Sequence, residues 1–248
     1  MFDNKQQIQE KQYRFPYHYI PEWSRGFSQV RSMKWGYEYA SYMEFVVNLL
    51  GEFSPERVLD VGCGDGRLIY EMRKCLPEVS VSGIDYSPQA VLFAKAFNPG
   101  IQFHVADITD SSFSIGTYDT ITLVETLEHI PLKEIEPFAE GLARLLDDRG
   151  RLIVTVPCAN VPVSKKHYQH FTLRHLEDTL ASNFKLEKSY YTNAISIKEK
   201  IIKRFMHSRF FDLNIKKLNS FLYHYYKRNL FNADSRNAQR IIGIFVKK

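Results

Sequence analysis

Between residues 57 and 156 the chain alternates short apolar runs with stretches of helical periodicity. A first helix is predicted over 36–50, where Tyr39, Met43, Val46, Val47 and Leu50 share one face. Residues 57–61 (RVLDV) read as a buried strand, followed at once by Gly62-Cys-Gly-Asp-Gly66 and a helix to about residue 76. A second strand is expected over 79–84 and ends at Asp85; Pro88 then opens a helix that runs to Phe97. Strands over 101–106, 118–124 and 151–156 follow. A helix over 132–146 separates the last two, and Pro157 stops the last. Five strands alternating with helices predict an α/β fold with a doubly wound, mainly parallel sheet and right-handed crossovers.

Beyond residue 157 the pattern relaxes into a loop to about Thr172, a natural N-cap for a short helix over 174–180. A strand over 184–191, a helical basic stretch over 197–230 and a final apolar strand over 240–246 bring the strands to seven. The expected organisation is one domain over 1–248. It comprises an N-terminal aromatic cap (1–35), a core (36–195), a late basic helical insertion (196–230) and a closing segment (231–248).

Composition changes this picture only through placement. Of 248 residues 44% are hydrophobic and 25% charged, which excludes wholesale disorder. No window approaches 18 uninterrupted apolar residues and no signal-like segment opens the chain, so a cytoplasmic protein is expected. The three cysteines, Cys63, Cys75 and Cys158, suit a reducing compartment. The net charge of +5 is concentrated: residues 196–230 hold nine Lys and Arg against two acids. Interleaved with apolar residues, they could meet a membrane periphery, an anionic or lipid-linked substrate, RNA, or only solvent. Eleven aromatics, both tryptophans among them, lie between Tyr13 and Phe45. They would either form a lid that excludes water or staple the cap to the sheet.

The chemistry concentrates where strands end. Gly62, Gly64 and Gly66 let a ligand approach the backbone, and the helix behind them offers free N–H groups. Asp85, nineteen residues beyond Gly66, stands where a carboxylate can accept bonds from two ribose hydroxyls. Asp60 and Asp65 would repel a pyrophosphate but attract the ammonium of an amino-acid moiety.

The string VLDVGCGDG (Val58 to Gly66) resembles the class I S-adenosylmethionine-dependent methyltransferases, over about residues 36–156. The resemblance implies a seven-stranded Rossmann-like sheet and S-adenosylmethionine as cofactor. It places Asp60, Gly62 and Gly64 along the methionine part and Asp85 on the ribose. Tyr86 would cover the adenine, Asp107 would lie near the adenine amino group with Ile108 on the ring, and Val124 beside the sulfonium. On the residues alone Asp107 could equally be a turn cap and Tyr86 a surface aromatic; Cys63 reads as a small turn residue.

After the fourth strand comes Glu125-Thr-Leu-Glu128-His129, in which positions three and four apart share a face. With His170, or His167 of the same loop, these residues could hold a divalent metal such as Mg2+. The string resembles the small-RNA 3′-terminal 2′-O-methyltransferases and the ubiquinone-pathway O-methyltransferases, which act on RNA ribose and on catechol-like rings. Without a metal, Glu125 and Glu128 would pair locally, His129 would act as base, and His167 and His170 would touch substrate. His170 is followed by Phe171-Thr172-Leu173, which resembles lipid- and sugar-linked small-molecule methyltransferases more than the RNA branch. The expected activity is O-methylation of a hydroxylated small molecule. Metal-dependent methylation of an RNA terminal ribose and cofactor binding without catalysis stand as alternatives.

Overall fold

The computed structural model describes residues 4–10, 22–23, 27–28, 33–206 and 215–248. A short helix α1 (Asn4–Glu10) and a two-residue hairpin, β1 (Glu22–Trp23) with β2 (Phe27–Ser28), precede the long helix α2 (Met33–Phe53). The core then runs β3 (Arg57–Val61), α3 (Arg67–Cys75), β4 (Ser80–Asp85), α4 (Pro88–Phe97), β5 (Gln102–Val105) and β6 (Tyr118–Val124). It continues through 3₁₀ turns at Leu127–His129 and Leu132–Glu134 into α5 (Ile135–Leu145), β7 (Leu146–Pro157), α6 (Leu173–Leu180) and β8 (Phe184–Ala194). Helices α7 (Ile197–Met206) and α8 (Lys216–Asn229) lead to β9 (Ala238–Lys247).

Seven strands form one sheet in the order β5-β4-β3-β6-β7-β9-β8. β3 to β7 pair in parallel, and β9 is antiparallel to both β7 and β8. The strand order reverses between β3 and β6, so their carboxyl ends flank a crevice where doubly wound sheets bind ligands. Each face of the sheet carries its own core. Leu59, Val61, Ile121, Leu123 and Val154 pack with α5 and α6. Val58, Val81, Ile153, Ile242 and Ile244 pack with α2, α3 and α4. The continuous apolar runs of the strands follow from this burial on both sides.

Element starts carry their own signals. Ser87 accepts the Ala90 N–H at 3.1 Å ahead of Pro88, and Thr172 accepts the His175 N–H at 3.1 Å ahead of α6. Several boundaries depart from expectation: the helix expected over 132–146 is a 3₁₀ turn followed by α5 from Ile135, and the strand expected over 184–191 runs on to Ala194. α2 extends to 33–53, and at its end Phe53 packs against the core that α2 shares with α3. The strand expected over 151–156 begins at Leu146, since Tyr118 pairs with Leu146 and Thr120 with Arg151, a shift that bulges the turn-like Asp147-Asp148-Arg149-Gly150. The helical stretch expected over 197–230 is two helices, and residues 207–214 lie outside the described residues. Of the aromatics assigned to the cap, Tyr13, Phe15, Tyr17 and Tyr19 also lie outside them.

Candidate functional site

Period-two alternation along β3 sends Asp60 to the face opposite Leu59 and Val61, where Thr122 of β6 donates its hydroxyl to the carboxylate at 2.7 Å. Burial pushes the Asp60 carboxyl up to about 7; the Asp85 charge adds to this and the Thr122 bond opposes it. Asp65 is pushed up to about 6, again chiefly by burial. Gly62 and Gly64 have φ of +72° and +54°. A Cβ on Gly62 would lie 2.3 Å from the Thr126 hydroxyl oxygen, so this position excludes any side chain both by conformation and by space. Asp85 accepts the Gly64 N–H and the Ser87 N–H, both at 2.9 Å, which ties the glycine turn to the end of β4.

Two cavities open on this turn. The larger, about 670 Å³, is bordered by Asp85, Tyr86, Asp107, Ile108, Ile130 and Phe138. The smaller, about 250 Å³, is bordered by Asp60, Gly64, Asp65, Val124, Glu128 and His167 and closed by Tyr39, Tyr42, Lys166 and Arg240. Gly62, Glu125 and His129 border both. Asp107 also accepts the Thr109 N–H and hydroxyl at 2.9 and 2.8 Å, so it caps its own turn while facing the larger cavity.

On the wall of the smaller cavity stand Glu128, His129 and His167, each offering a ligand atom within 4.8 Å of the others', and His129 borders the larger cavity as well. The loop between β7 and α6 is held against the 3₁₀ turn by the Tyr168 N–H on the Glu128 carbonyl at 2.8 Å. His129 Nδ1 lies 3.1 Å from the Lys166 carbonyl. A carbonyl only accepts, so Nδ1 carries the proton and Nε2 keeps its lone pair. His170 Nδ1 likewise donates to the Val161 carbonyl at 2.9 Å, and its Nε2 accepts from His167 Nδ1 at 2.8 Å. His167 Nε2 is therefore also a lone pair. Burial lowers His129 to about 3 and His167 to about 2, so both rings are neutral at pH 7. Glu128 is 1% exposed, and its Oε2 has no hydrogen-bond partner among the described residues. Burial first, and the Glu125 charge second, raise its pKa.

Glu125 is placed differently from its motif partners. It sits at φ +53°, and its carboxylate accepts from Arg240 Nε at 3.0 Å and from the Thr155 hydroxyl at 3.0 Å. The cluster therefore contains Glu128 and His129 as the sequence predicts. Of the two loop histidines offered as the further ligand, His167 joins them, and Glu125 turns to Arg240. His170 stands behind His167 and fixes its proton. Sequence reading missed Arg240 and Lys166 as cavity walls, whereas Tyr39 and Tyr42 belong to the aromatics expected as a lid or a staple. An arginine opening an otherwise apolar strand and a lysine directly before His167 were the available signals.

Residues 58–150 match the family described as a methyltransferase domain. That stretch of the chain is similar to a methyltransferase domain. The chain is 34% identical over 120 residues to a ubiquinone biosynthesis O-methyltransferase of Xanthomonas euvesicatoria, covering 46% of this chain and 47% of that one. It is 30% identical over 112 residues to a tRNA N(3)-methylcytidine methyltransferase of Schizosaccharomyces pombe, covering 42% and 45%. The chain thus spans about half the length of the curated relatives it matches. Among solved structures, the N-methyltransferase NodS of Bradyrhizobium japonicum in complex with S-adenosylhomocysteine superposes over 99% of both chains with a TM-score of 0.63 at 13% identity. That likeness establishes the fold of the domain.

The residues present fit such a cofactor. Asp60 and Asp65 line the smaller cavity beside the backbone of Gly62 and Gly64, where their ionised carboxylates can meet an ammonium. Asp85 presents a carboxylate to a larger cavity of ligand size. The orphaned Oε2 of Glu128 and two imidazole lone pairs fit a divalent cation.

Proposed function

We propose that the chain transfers a methyl group from S-adenosylmethionine to a hydroxyl oxygen of a small molecule, at a site where Glu128, His129 and His167 hold a divalent cation. The convergence of these three ligand atoms in the smaller cavity, with His129 bordering the larger one too, carries the reading. The donor supplies an electrophilic methyl, and a bound cation lowers the pKa of a coordinated hydroxyl.

The chain's own residues do the rest. Asp60 and Asp65 bind the ammonium of the donor, Asp85 accepts its ribose hydroxyls, and Tyr86, Asp107 and Ile108 form the adenine end. Gly62, which borders both cavities, and Val124, on the wall of the smaller one, form the floor on which donor and acceptor meet. His170 holds the tautomer of His167, and the Lys166 carbonyl holds that of His129, so each ring keeps its Nε2 lone pair free of a proton. Tyr39 and Tyr42 give the smaller cavity flat walls for a ring or a sugar and keep water out. Lys166 and Arg240 add positive charge on the same side, which favours an acceptor oxygen as it loses its proton.

The test is methyl transfer to catechol-like and sugar-linked acceptors with chelator, then with Mg2+, Mn2+ or Zn2+ restored. Loss with chelator and recovery with metal, while S-adenosylhomocysteine binding stays intact, supports the reading. Activity indifferent to chelator returns Glu128 and His129 to local pairing. Transfer confined to RNA 3′ ends would replace the small-molecule acceptor with a terminal ribose.

A further inference from the structure

Helices α7 and α8 lie on α2 through polar and aromatic groups. Lys203 pairs with Glu38 and Glu199, Lys227 pairs with Glu44, and Tyr223 donates to Glu44 at 2.7 Å. Tyr226 is buried and accepts from Asn193 at 2.8 Å. Several large apolar side chains of the two helices and of Ile215, just before α8, face solvent instead, while Ile202 and Leu222 are half-buried. Ile197 is 77% exposed and Ile201, one turn on, 51%; Ile215, Leu218 and Phe221 are 55%, 38% and 65% exposed. An ordinary surface helix turns its apolar side inward, and these two turn much of theirs outward. Among the described residues, these five are nearly half of all the exposed large hydrophobics, and the others are spread over the rest of the chain.

The same two helices expose Lys198, Lys200, Arg204, Lys217 and Arg228. Their acid, Glu199, is buried against Lys203, and Asp212 lies outside the described residues. The outward face is therefore apolar and cationic together. A polyanion such as RNA rewards the cations and stacks on aromatics but gains nothing from Ile197, Ile201, Ile215 and Leu218. A second copy would set like charges against each other. A bilayer with anionic headgroups accepts both features at once. No described helix is long and apolar enough to cross a membrane, so the helices would lie in the plane of the interface.

We propose that the outward faces of α7 and α8 dock on an anionic lipid surface. None of the residues named for this face borders either cavity of the methyl-transfer site, so the proposal stands or falls separately from that reading.

The experiment is co-sedimentation of the full chain with phosphatidylcholine vesicles containing about one-third phosphatidylglycerol, at several salt concentrations. Binding is expected to these vesicles, to fall with salt, and to be absent with pure phosphatidylcholine. Lys198→Gln, Lys200→Gln and Lys217→Gln should each weaken it roughly fivefold. The combined Ile197→Ser, Ile201→Ser and Phe221→Ser variant, with its charge unchanged, should weaken it at least as much as one lysine, with the melting temperature preserved because the side chains are exposed. Failure of the wild type to pellet at low salt overturns the proposal. So does unchanged binding by the serine variant, which would leave only attraction to any polyanion. Tighter binding to an RNA oligonucleotide that the serine variant retains would assign the face to nucleic acid, and concentration-dependent dimerisation lost in the serine variant would assign it to a second copy.

Discussion

Asp60 shows how a single residue couples stability to the site. Its carboxyl ionises near pH 4 in an unfolded chain and near pH 7 in the folded one, because burial disfavours the charge. The folded state thus holds a proton that the unfolded state releases, and the stability this contributes is present below pH 4 and lost as pH rises to about 7. Asp60→Asn should therefore raise the unfolding free energy at pH 8, on the order of 2 kcal/mol, and flatten its pH dependence in urea titrations. The same substitution should weaken S-adenosylhomocysteine binding in calorimetry. In the wild type that affinity should rise with pH toward 7, since an ammonium prefers the ionised carboxylate. At the cluster, Glu128→Gln should lower divalent-metal affinity by at least about tenfold, whereas Glu125→Gln should leave it within a small factor because Arg240 and Thr155 hold Glu125 aside. Equal losses at both positions would show that Glu125 turns to the metal. The glycine turn and Asp85 were legible in the sequence because their spacing is local. Which of the two loop histidines joins the cluster was not, because it depends on which ring nitrogen a distant carbonyl engages.

At the scale of elements, the end of β8 joins α2 and α8. Asn193, fully buried at φ +60°, donates to the Ser41 hydroxyl at 3.2 Å and the Tyr226 hydroxyl at 2.8 Å, and accepts from the Thr192 hydroxyl at 3.0 Å. Asparagine is one of the few residues with a Cβ that tolerate this conformation. Asn193→Ala should cost about 2–4 kcal/mol in urea denaturation, from lost bonds plus left-handed strain. Asn193→Gly should cost about 1 kcal/mol less, because glycine keeps the conformation. Equal costs would mean that the hydrogen bonds alone matter. The periodicity of the chain located nearly every strand and helix, yet it read 197–230 as one helix and could not say which side faced inward. That orientation was set by Glu38 and Glu44 of α2, more than 150 residues earlier in the chain, which draw Lys203 and Lys227 inward.

For the whole molecule, the crevice between β3 and β6 joins the two halves of the sheet, so a ligand lying across it should stabilise the folded state as a unit. S-adenosylhomocysteine at about a hundredfold over its dissociation constant should raise the melting temperature by roughly 5–10 °C. No shift would remove the cofactor reading. By itself the sequence determined the alternation of strands and helices, the burial of the sheet on both faces, and the glycine turn with its acids. Each of these is set by neighbours within a few residues or by a repeat of period 2 or 3.6. Only the tertiary structure decided that Glu125 belongs to Arg240, that His167 joins Glu128 and His129, and that α7 and α8 leave aliphatic side chains outside. Those outcomes turn on side chains and carbonyls brought together from distant parts of the chain, where packing and the demand that buried polar groups find partners select one arrangement among several the local pattern permits.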